Sequence, residues 1–137
     1  MIQLQPIQNF FKTAILFLFV VGCEPTPPIE LRHLSGYWEI AYVEQNGEQF
    51  KPKVGQPLYD FYYFDQTEGI RKKVAPKFDG SYQTSDDQTP FELQQKEGRY
   101  LLQFKTPWDT WSEQIVYLDS TKLVLFHLNF NYHYIRP

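Results

Sequence analysis

The sequence has a single cysteine, a small net charge and no helical periodicity, and each of these features excludes a class of protein. One cysteine in 137 residues excludes a disulfide within the chain. A formal net charge of only −3 provides no electrostatic surface for nucleic acid. No segment sustains a helical apolar period, which argues against a helical domain.

Motifs for catalysis and for cofactors are missing as well. The sequence has no glycine-rich phosphate loop, no serine elbow and no zinc-binding helix. Asp86 and Asp87 stand in a predicted loop without a histidine or a nucleophile nearby. His127 and His133 flank a predicted turn, but zinc usually needs three protein ligands or more. We therefore predict no enzyme activity, no cofactor and no metal site.

The longest apolar run covers residues 14–21 and follows Lys12 closely. It is too short to span a bilayer as a helix, which needs about 20 apolar residues. A basic flank, a short apolar core and a small residue before a cleavage site are the pattern of a secretory signal. Residues 20–23, Val-Val-Gly-Cys, resemble the bacterial lipobox. The resemblance implies cleavage before Cys23 and acylation of that residue.

These features divide the chain into three parts. We predict a signal peptide over 1–22, a lipidated cysteine and proline-rich tether over 23–30, and the folded domain over 31–137. Three prolines after Cys23 favour an extended chain, and two or more acyl chains give stable membrane anchoring. The predicted location is the cell envelope, on the outer or inner membrane of a Gram-negative bacterium, in the periplasm or facing outward.

Aromatic residues make up 18% of the chain, and they favour strands. Turn signals separate short apolar segments about every 8–12 residues, which is typical of an all-β sandwich or barrel. Short connections favour a meander of sequential antiparallel neighbours. Residues 85–90 are predicted as a loop. The strands are predicted over residues 38–44, 49–53, 58–65, 70–75, 81–84, 91–95, 100–105, 110–118, 123–128 and 132–135.

Leu34-Ser35-Gly36-Tyr37-Trp38 resembles the opening of the bacterial lipocalin-like lipoproteins, Leu-x-Gly-x-Trp. Residues 78–82, 113–125 and 132–136 resemble later hairpins and the closing strand of that family. The resemblance covers about residues 31–137. It implies a small antiparallel up-and-down β-barrel of about eight strands, often with an interior site for an apolar molecule.

The same resemblance implies a structural role for three residues. In the family, an arginine stacks on the tryptophan of the first strand at the closed end of the barrel. Here Arg136 would stack on Trp38 beside Gly36, and would tie the last strand to the first. A guanidinium over an indole contributes about 0.5–2 kcal/mol, depending on desolvation.

Aromatic side chains are the candidates for a ligand-lining set. Tyr59, Phe61 and Tyr63 share one face of a predicted strand, because side chains alternate along a strand. The full candidate set is Tyr59, Phe61, Tyr63, Phe91, Phe104, Trp111 and Tyr117. These residues either orient a small ligand in an apolar pocket or fill the interior of a small barrel.

The sequence therefore predicts a membrane-anchored module that binds a small apolar molecule. The alternative is a structural or interaction protein of the envelope with a filled barrel. In that case exposed Trp108 and Trp111 would meet a protein or a glycan, whose identity the sequence leaves open. The basic residues between Arg71 and Lys77 are predicted to be a solvated strand face or loop.

Overall fold

The computed structural model describes residues 2, 22, 29–55 and 57–137. The predicted signal peptide, the lipidation at Cys23 and most of the tether therefore lie outside the described residues. Within the described part, no helix is both long enough and apolar enough to cross a membrane.

One 3₁₀ turn, Leu31–His33, precedes a sheet that closes on itself. Each strand pairs antiparallel with its neighbour, and the last strand pairs with the first. Within the described residues the strands are β1 Gly36–Gln45, β2 Glu48–Phe50, β3 Tyr59–Asp65, β4 Glu68–Pro76, β5 Tyr82–Lys96, β6 Arg99–Lys105, β7 Thr110–Leu118, β8 Lys122–His127 and β9 Phe130–Ile135.

Two of these strands occupy one position in the barrel. β2 pairs with β1 at residues 43–45, and β3 pairs with the same edge of β1 at residues 36–39. The closed sheet is therefore an eight-stranded antiparallel up-and-down barrel, which confirms the predicted fold class. The barrel is established by its own hydrogen-bonded pairing, since closure leaves no free edge on the main strands.

The predicted loop at 85–90 is wrong, because β5 runs through it. Its polar residues pair with β4, where Thr89 lies opposite Arg71 and Pro90 lies opposite Ile70. The register shifts beyond Lys72, and this irregularity takes up the extra residues of β5. A bulge leaves extra residues unpaired and bends the strand without ending it, so the polar composition of this segment was not a sign of a loop.

Antiparallel pairing places the connections alternately at two ends of the barrel. At the closed end lie the β3–β4, β5–β6 and β7–β8 turns together with the N-terminal residues 29–34. Leu34 is fully buried there, and Ile29 and Leu31 pack against the core. The β4–β5, β6–β7 and β8–β9 turns lie at the other end, called the open end below.

The interior is filled by side chains of alternating strand residues. Each member of the innermost set has less than 2% of its surface exposed, and together they form one continuous core. An eight-stranded barrel is just wide enough for side chains to fill it or for one small ligand to bind inside. The innermost residues are Leu34, Trp38, Tyr62, Leu102, Phe104, Ile115, Leu118, Leu123 and Leu125.

Candidate functional site

Arg136 lies over the ring of Trp38 at the closed end. Its guanidinium carbon is 3.7 Å from the ring centroid. Its nitrogens donate to the carbonyl oxygens of Tyr37 at 3.0 Å, of Ser35 at 3.1 Å and of His33. One cation thereby satisfies three backbone acceptors and links the end of β9 to the start of β1. Charge-assisted hydrogen bonds of this kind are stronger than neutral ones.

Gly36 makes room for this arrangement. Its φ of +117° lies in a region that other residues rarely adopt, and a Cβ there would stand 2.8 Å from Arg136 Nη1. Trp38 is held from the other side, because its indole N–H donates to the carbonyl oxygen of Leu34 at 2.9 Å. The structure thus brings together Gly36, Trp38 and Arg136 in a structural role.

An ion pair crosses the interior of the barrel. Arg71 Nη1, on β4, is 3.0 Å from both carboxylate oxygens of Glu113, on β7. The Trp111 indole N–H donates to Glu113 at 3.1 Å, and the Arg71 guanidinium lies 4.1 Å from the centroid of the Phe104 ring. About 12% of the Arg71 side chain and 11% of the Glu113 side chain are exposed. Both charges therefore have a partner inside the barrel.

A second carboxylate is buried nearby. Asp60, 2% exposed, accepts a hydrogen bond from the Tyr134 hydroxyl at 3.0 Å and pairs with Lys73 Nζ at 2.6 Å. Burial raises the pKa of Tyr62 and of Tyr134 above the usual value for tyrosine. Burial disfavours the charged form of these phenols, so in the folded protein they stay neutral beyond the pH at which an exposed tyrosine ionises.

Sequence reasoning missed this polar interior. Arg71 and Lys73 belong to the basic cluster that was predicted to be solvated, but both lie on the face of β4 that pairs with buried Asp60 and Tyr62. For Arg71 the prediction is wrong. The sequence signal for this interior was the alternation of side chains along β3. The alternation separates two faces of the strand, but it does not indicate which face points into the barrel.

Three of the seven ligand-lining candidates lie inside the barrel. Phe91 and Phe104 have ring centroids 5.4 Å apart, and Phe104 stacks on Trp111 at 5.2 Å. Their neighbours are the core and the Arg71 guanidinium. These rings pack against one another as parts of a filled interior.

The candidates on β3 lie on the outer face, because Asp60 and Tyr62 between them are the buried residues. Tyr63 is 55% exposed. Phe61 lies 4.9 Å from Tyr37, within a group of aromatic rings on the outer wall that also includes Tyr59 and Tyr82. Tyr59, Phe61 and Tyr63 therefore do not line the interior, contrary to the prediction.

Tyr117 lies outside for a different reason. The β7–β8 register shifts between Ile115 and Tyr117, and the shift turns Tyr117 to the outer face opposite Val124. Its hydroxyl donates to Asp119 at 2.5 Å. This hydrogen bond raises the pKa of Tyr117 and lowers that of Asp119. The interior role predicted for Tyr117 is thus also contradicted.

The two histidines of the last hairpin do not face each other. His127 Nδ1 is 2.9 Å from the carbonyl oxygen of Ser112. His133 stacks on Tyr42 at 4.2 Å and pairs with Glu44 at 3.3 Å. Among the residues that the structure describes, no group of three or more potential metal ligands occurs.

An open cleft of about 650 Å³ lies on the outer wall across β3 to β7. Most of its lining belongs to two rows of outward side chains, since Tyr63 pairs with Ile70 and Asp65 pairs with Glu68 along neighbouring strands, and Gly69 and the inward Phe91 lie between the rows. One row is mainly apolar and the other mainly acidic. The lining residues are Tyr63, Asp65, Glu68, Gly69, Ile70, Pro90, Phe91, Glu92, Gln103, Lys105 and Thr110.

No protein-family model matches this chain, and no curated protein matches it either. Among solved structures, a lipocalin-like protein from Bacteroides uniformis is 12% identical over 77% of this chain and 99% of its own, with a TM-score of 0.48. An uncharacterized protein from Bacteroides eggerthii is 11% identical over 76% and 99%, with a TM-score of 0.47. Lobster apocrustacyanin A1 is 15% identical over 79% and 63%, with a TM-score of 0.46. Because these identities and TM-scores are low, the assignment of the barrel fold rests on the strand pairing of this chain.

Proposed function

We propose that this protein is a lipid-anchored module of the bacterial cell envelope whose barrel is a filled scaffold and whose outer surface binds the partner. The observation that carries the proposal is the packed interior crossed by the Arg71–Glu113 pair. An apolar ligand inside the barrel would have to lie against this pair or separate it, and separating buried charges costs several kcal/mol. The cleft on the outer wall needs no such rearrangement.

The second candidate function is the binding of a small apolar molecule inside the barrel. The stack of Phe91, Phe104 and Trp111 supports it, because aromatic walls suit an apolar ligand. Such a ligand would also have to share the interior with Arg71 and Glu113. The filled scaffold is therefore the better supported of the two.

Native mass spectrometry on residues 24–137 distinguishes the two functions. We expect the mass of the polypeptide alone, both after gentle purification and after solvent extraction of lipids. We also expect no saturable binding of a fluorescent fatty acid. A reproducible extra mass that leaves on extraction, or saturable binding that Trp111→Ala abolishes, would support the interior ligand instead.

The proposed anchor at Cys23 has its own experiment. Cys23→Ala should abolish labelling by a radioactive fatty acid and leave the precursor unprocessed, because the thiol that accepts the lipid is gone. Gly22→Ala keeps a small residue before the cleavage site, so this control should be labelled normally. Normal labelling of Cys23→Ala would exclude the anchor.

A further inference from the structure

The outer wall formed by β7, β8 and β9, called the β7–β9 wall below, exposes an apolar side chain from each strand. These residues are Val116, Phe126 and Ile135. Two turns of the same strands at the open end add Trp108, which is 91% exposed, and Leu128, which is 75% exposed. Exposed apolar side chains therefore occur along the wall from the open end to the closed end.

The β7–β9 wall also lacks acidic groups, within strands that are described in full. Glu113 is the one carboxylate in these three strands, and it points inward to Arg71. The alternating outward positions instead carry uncharged polar groups, a histidine and Lys122. The strands of the wall thus expose apolar and uncharged polar groups and Lys122, while the nearest carboxylates are Glu44 of β1, which pairs with His133, and Asp109 and Asp119 in the adjoining turns.

The opposite side of the barrel has the reverse character. Asp65 lies directly opposite Glu68, and Glu68 lies directly opposite Glu92. All three are exposed, and none takes part in an ion pair within the described chain. Like charges directly opposite each other destabilise a sheet. The molecule therefore has one acidic side and one apolar side.

Leu128 is an unusual residue for its turn. It has φ +49°, and Asn129 after it has φ +67°, as in the two-residue turns that favour Asn-Gly. A bulky residue rarely adopts positive φ. The leucine is both strained and largely exposed, so the stability of the barrel does not explain its presence. Strain of this kind is a reason to look for a binding role.

The chain enters the barrel beside this wall. The Glu30 N–H donates to the carbonyl oxygen of Leu118, the last residue of β7, at 3.1 Å. Cys23 precedes Ile29 by six residues (29 − 23), which span about 20 Å at most. A lipid on Cys23 would therefore hold the closed end of the β7–β9 wall within about 20 Å of the membrane.

We propose that the β7–β9 wall lies against the lipid bilayer to which the chain is anchored. The proposal rests on the anchor in the proposed function and names the surface that the anchor brings to the membrane. Tryptophan favours the membrane interface, apolar side chains enter the acyl boundary, and lysine attracts anionic headgroups. The acidic side then faces water, and the cleft remains open to a partner.

The single cysteine allows a direct test on the mature chain, residues 23–137, which contains every strand pairing and the whole core. The Cys23 thiol is coupled to maleimide-phosphatidylethanolamine in vesicles of phosphatidylcholine and phosphatidylglycerol. Trp108 reports docking, because Trp38 is fully buried and Trp111 stacks inside the barrel. We expect its emission to shift to shorter wavelength and to be quenched by lipids brominated in the acyl chain.

Two variants give the matched comparison. Leu128→Ser should lower the docking equilibrium constant about tenfold, because one exposed apolar side chain no longer enters the lipid. Phe78→Ser removes an exposed apolar side chain from the β4–β5 turn, at the same end of the barrel but on the acidic side, and should leave docking unchanged. Trp108→Phe should abolish the fluorescence response, which identifies the reporting residue. Thermal melting of each variant checks that the barrel remains folded.

Several outcomes would overturn the proposal. Trp108 emission that remains accessible to an aqueous quencher after coupling would show that the wall does not dock. Equal losses for Leu128→Ser and Phe78→Ser would show no preference for this wall, and a dimer that Leu128→Ser dissociates would identify a second copy as the occupant. Because the maleimide supplies the anchor, these results are independent of processing at Cys23 and of the mass of the purified domain.

Discussion

The interior of the barrel and its β7–β9 wall distribute charged and apolar groups in opposite ways. Inside, the charges of Arg71, Glu113 and Asp60 are each paired at 3.0 Å or less. Outside, Phe126 and Leu128 expose apolar surface that nothing in the described chain covers. The charged groups of the interior therefore have partners within the barrel, whereas the apolar side chains of the wall are left uncovered by the described chain.

The largest expected effect comes from breaking the interior pair. Glu113→Gln leaves the Arg71 guanidinium buried without its counter-charge, so we expect the free energy of unfolding to fall by about 3–5 kcal/mol. Urea denaturation measures this change. The double variant Arg71→Met, Glu113→Leu removes both charges and should recover most of the loss. A single variant as stable as the parent would show that the pair is not buried.

Removing Arg136 should have the next largest effect. Arg136→Ala deletes the hydrogen bonds to three backbone carbonyls and the stacking on Trp38, so we expect a loss of about 2–3 kcal/mol. Arg136→Lys keeps the charge without the planar fork and should recover only part of it. Full recovery by lysine in thermal melts would mean that charge alone matters at this position.

A smaller effect of opposite sign is expected on the β7–β9 wall. Leu128→Gly relieves a positive φ and should stabilise the barrel by about 1 kcal/mol. The same variant should weaken docking on vesicles, so stability and binding change in opposite directions. Leu128→Ala keeps the backbone strain and serves as the control. A less stable Leu128→Gly would show that the side chain supports the fold.

The last prediction concerns the pH dependence of stability, which the two buried tyrosines should not affect near neutral pH. Burial raises the pKa of Tyr62 and Tyr134, so their contribution to stability is complete below the ordinary tyrosine pKa of about 10. It is lost as pH rises further, because the unfolded chain ionises first. Absorbance of the phenolate band should show that some tyrosines of the folded protein ionise only above the ordinary tyrosine pKa. Tyr62→Phe should reduce this late-ionising fraction. Titration of all tyrosines near pH 10 with the fold intact would contradict this.

The sequence predicted the positions of the strands well, but it predicted poorly which face of each strand points into the barrel. Turn signals such as Asn46-Gly47 fall at real hairpins, since local backbone preference decides them. The closure by Arg136 and Trp38 followed from a family resemblance. The inner face of β3 and the pair between Arg71 and Glu113, 42 residues apart, depend on long-range register. A shift of one residue reverses the face of a strand, as happened at Tyr117.

The row of carboxylates formed by Asp65, Glu68 and Glu92 makes the charge distribution of the barrel asymmetric. Near an anionic membrane, Asp65, Glu68 and Glu92 would be repelled while Lys122 on the opposite side would be attracted, so the field would rotate the domain about its tether. This torque acts before any apolar contact forms, over a distance of about 8 Å at physiological ionic strength. The repulsion between these carboxylates and the anionic headgroups would then orient the domain, and added salt would slow docking.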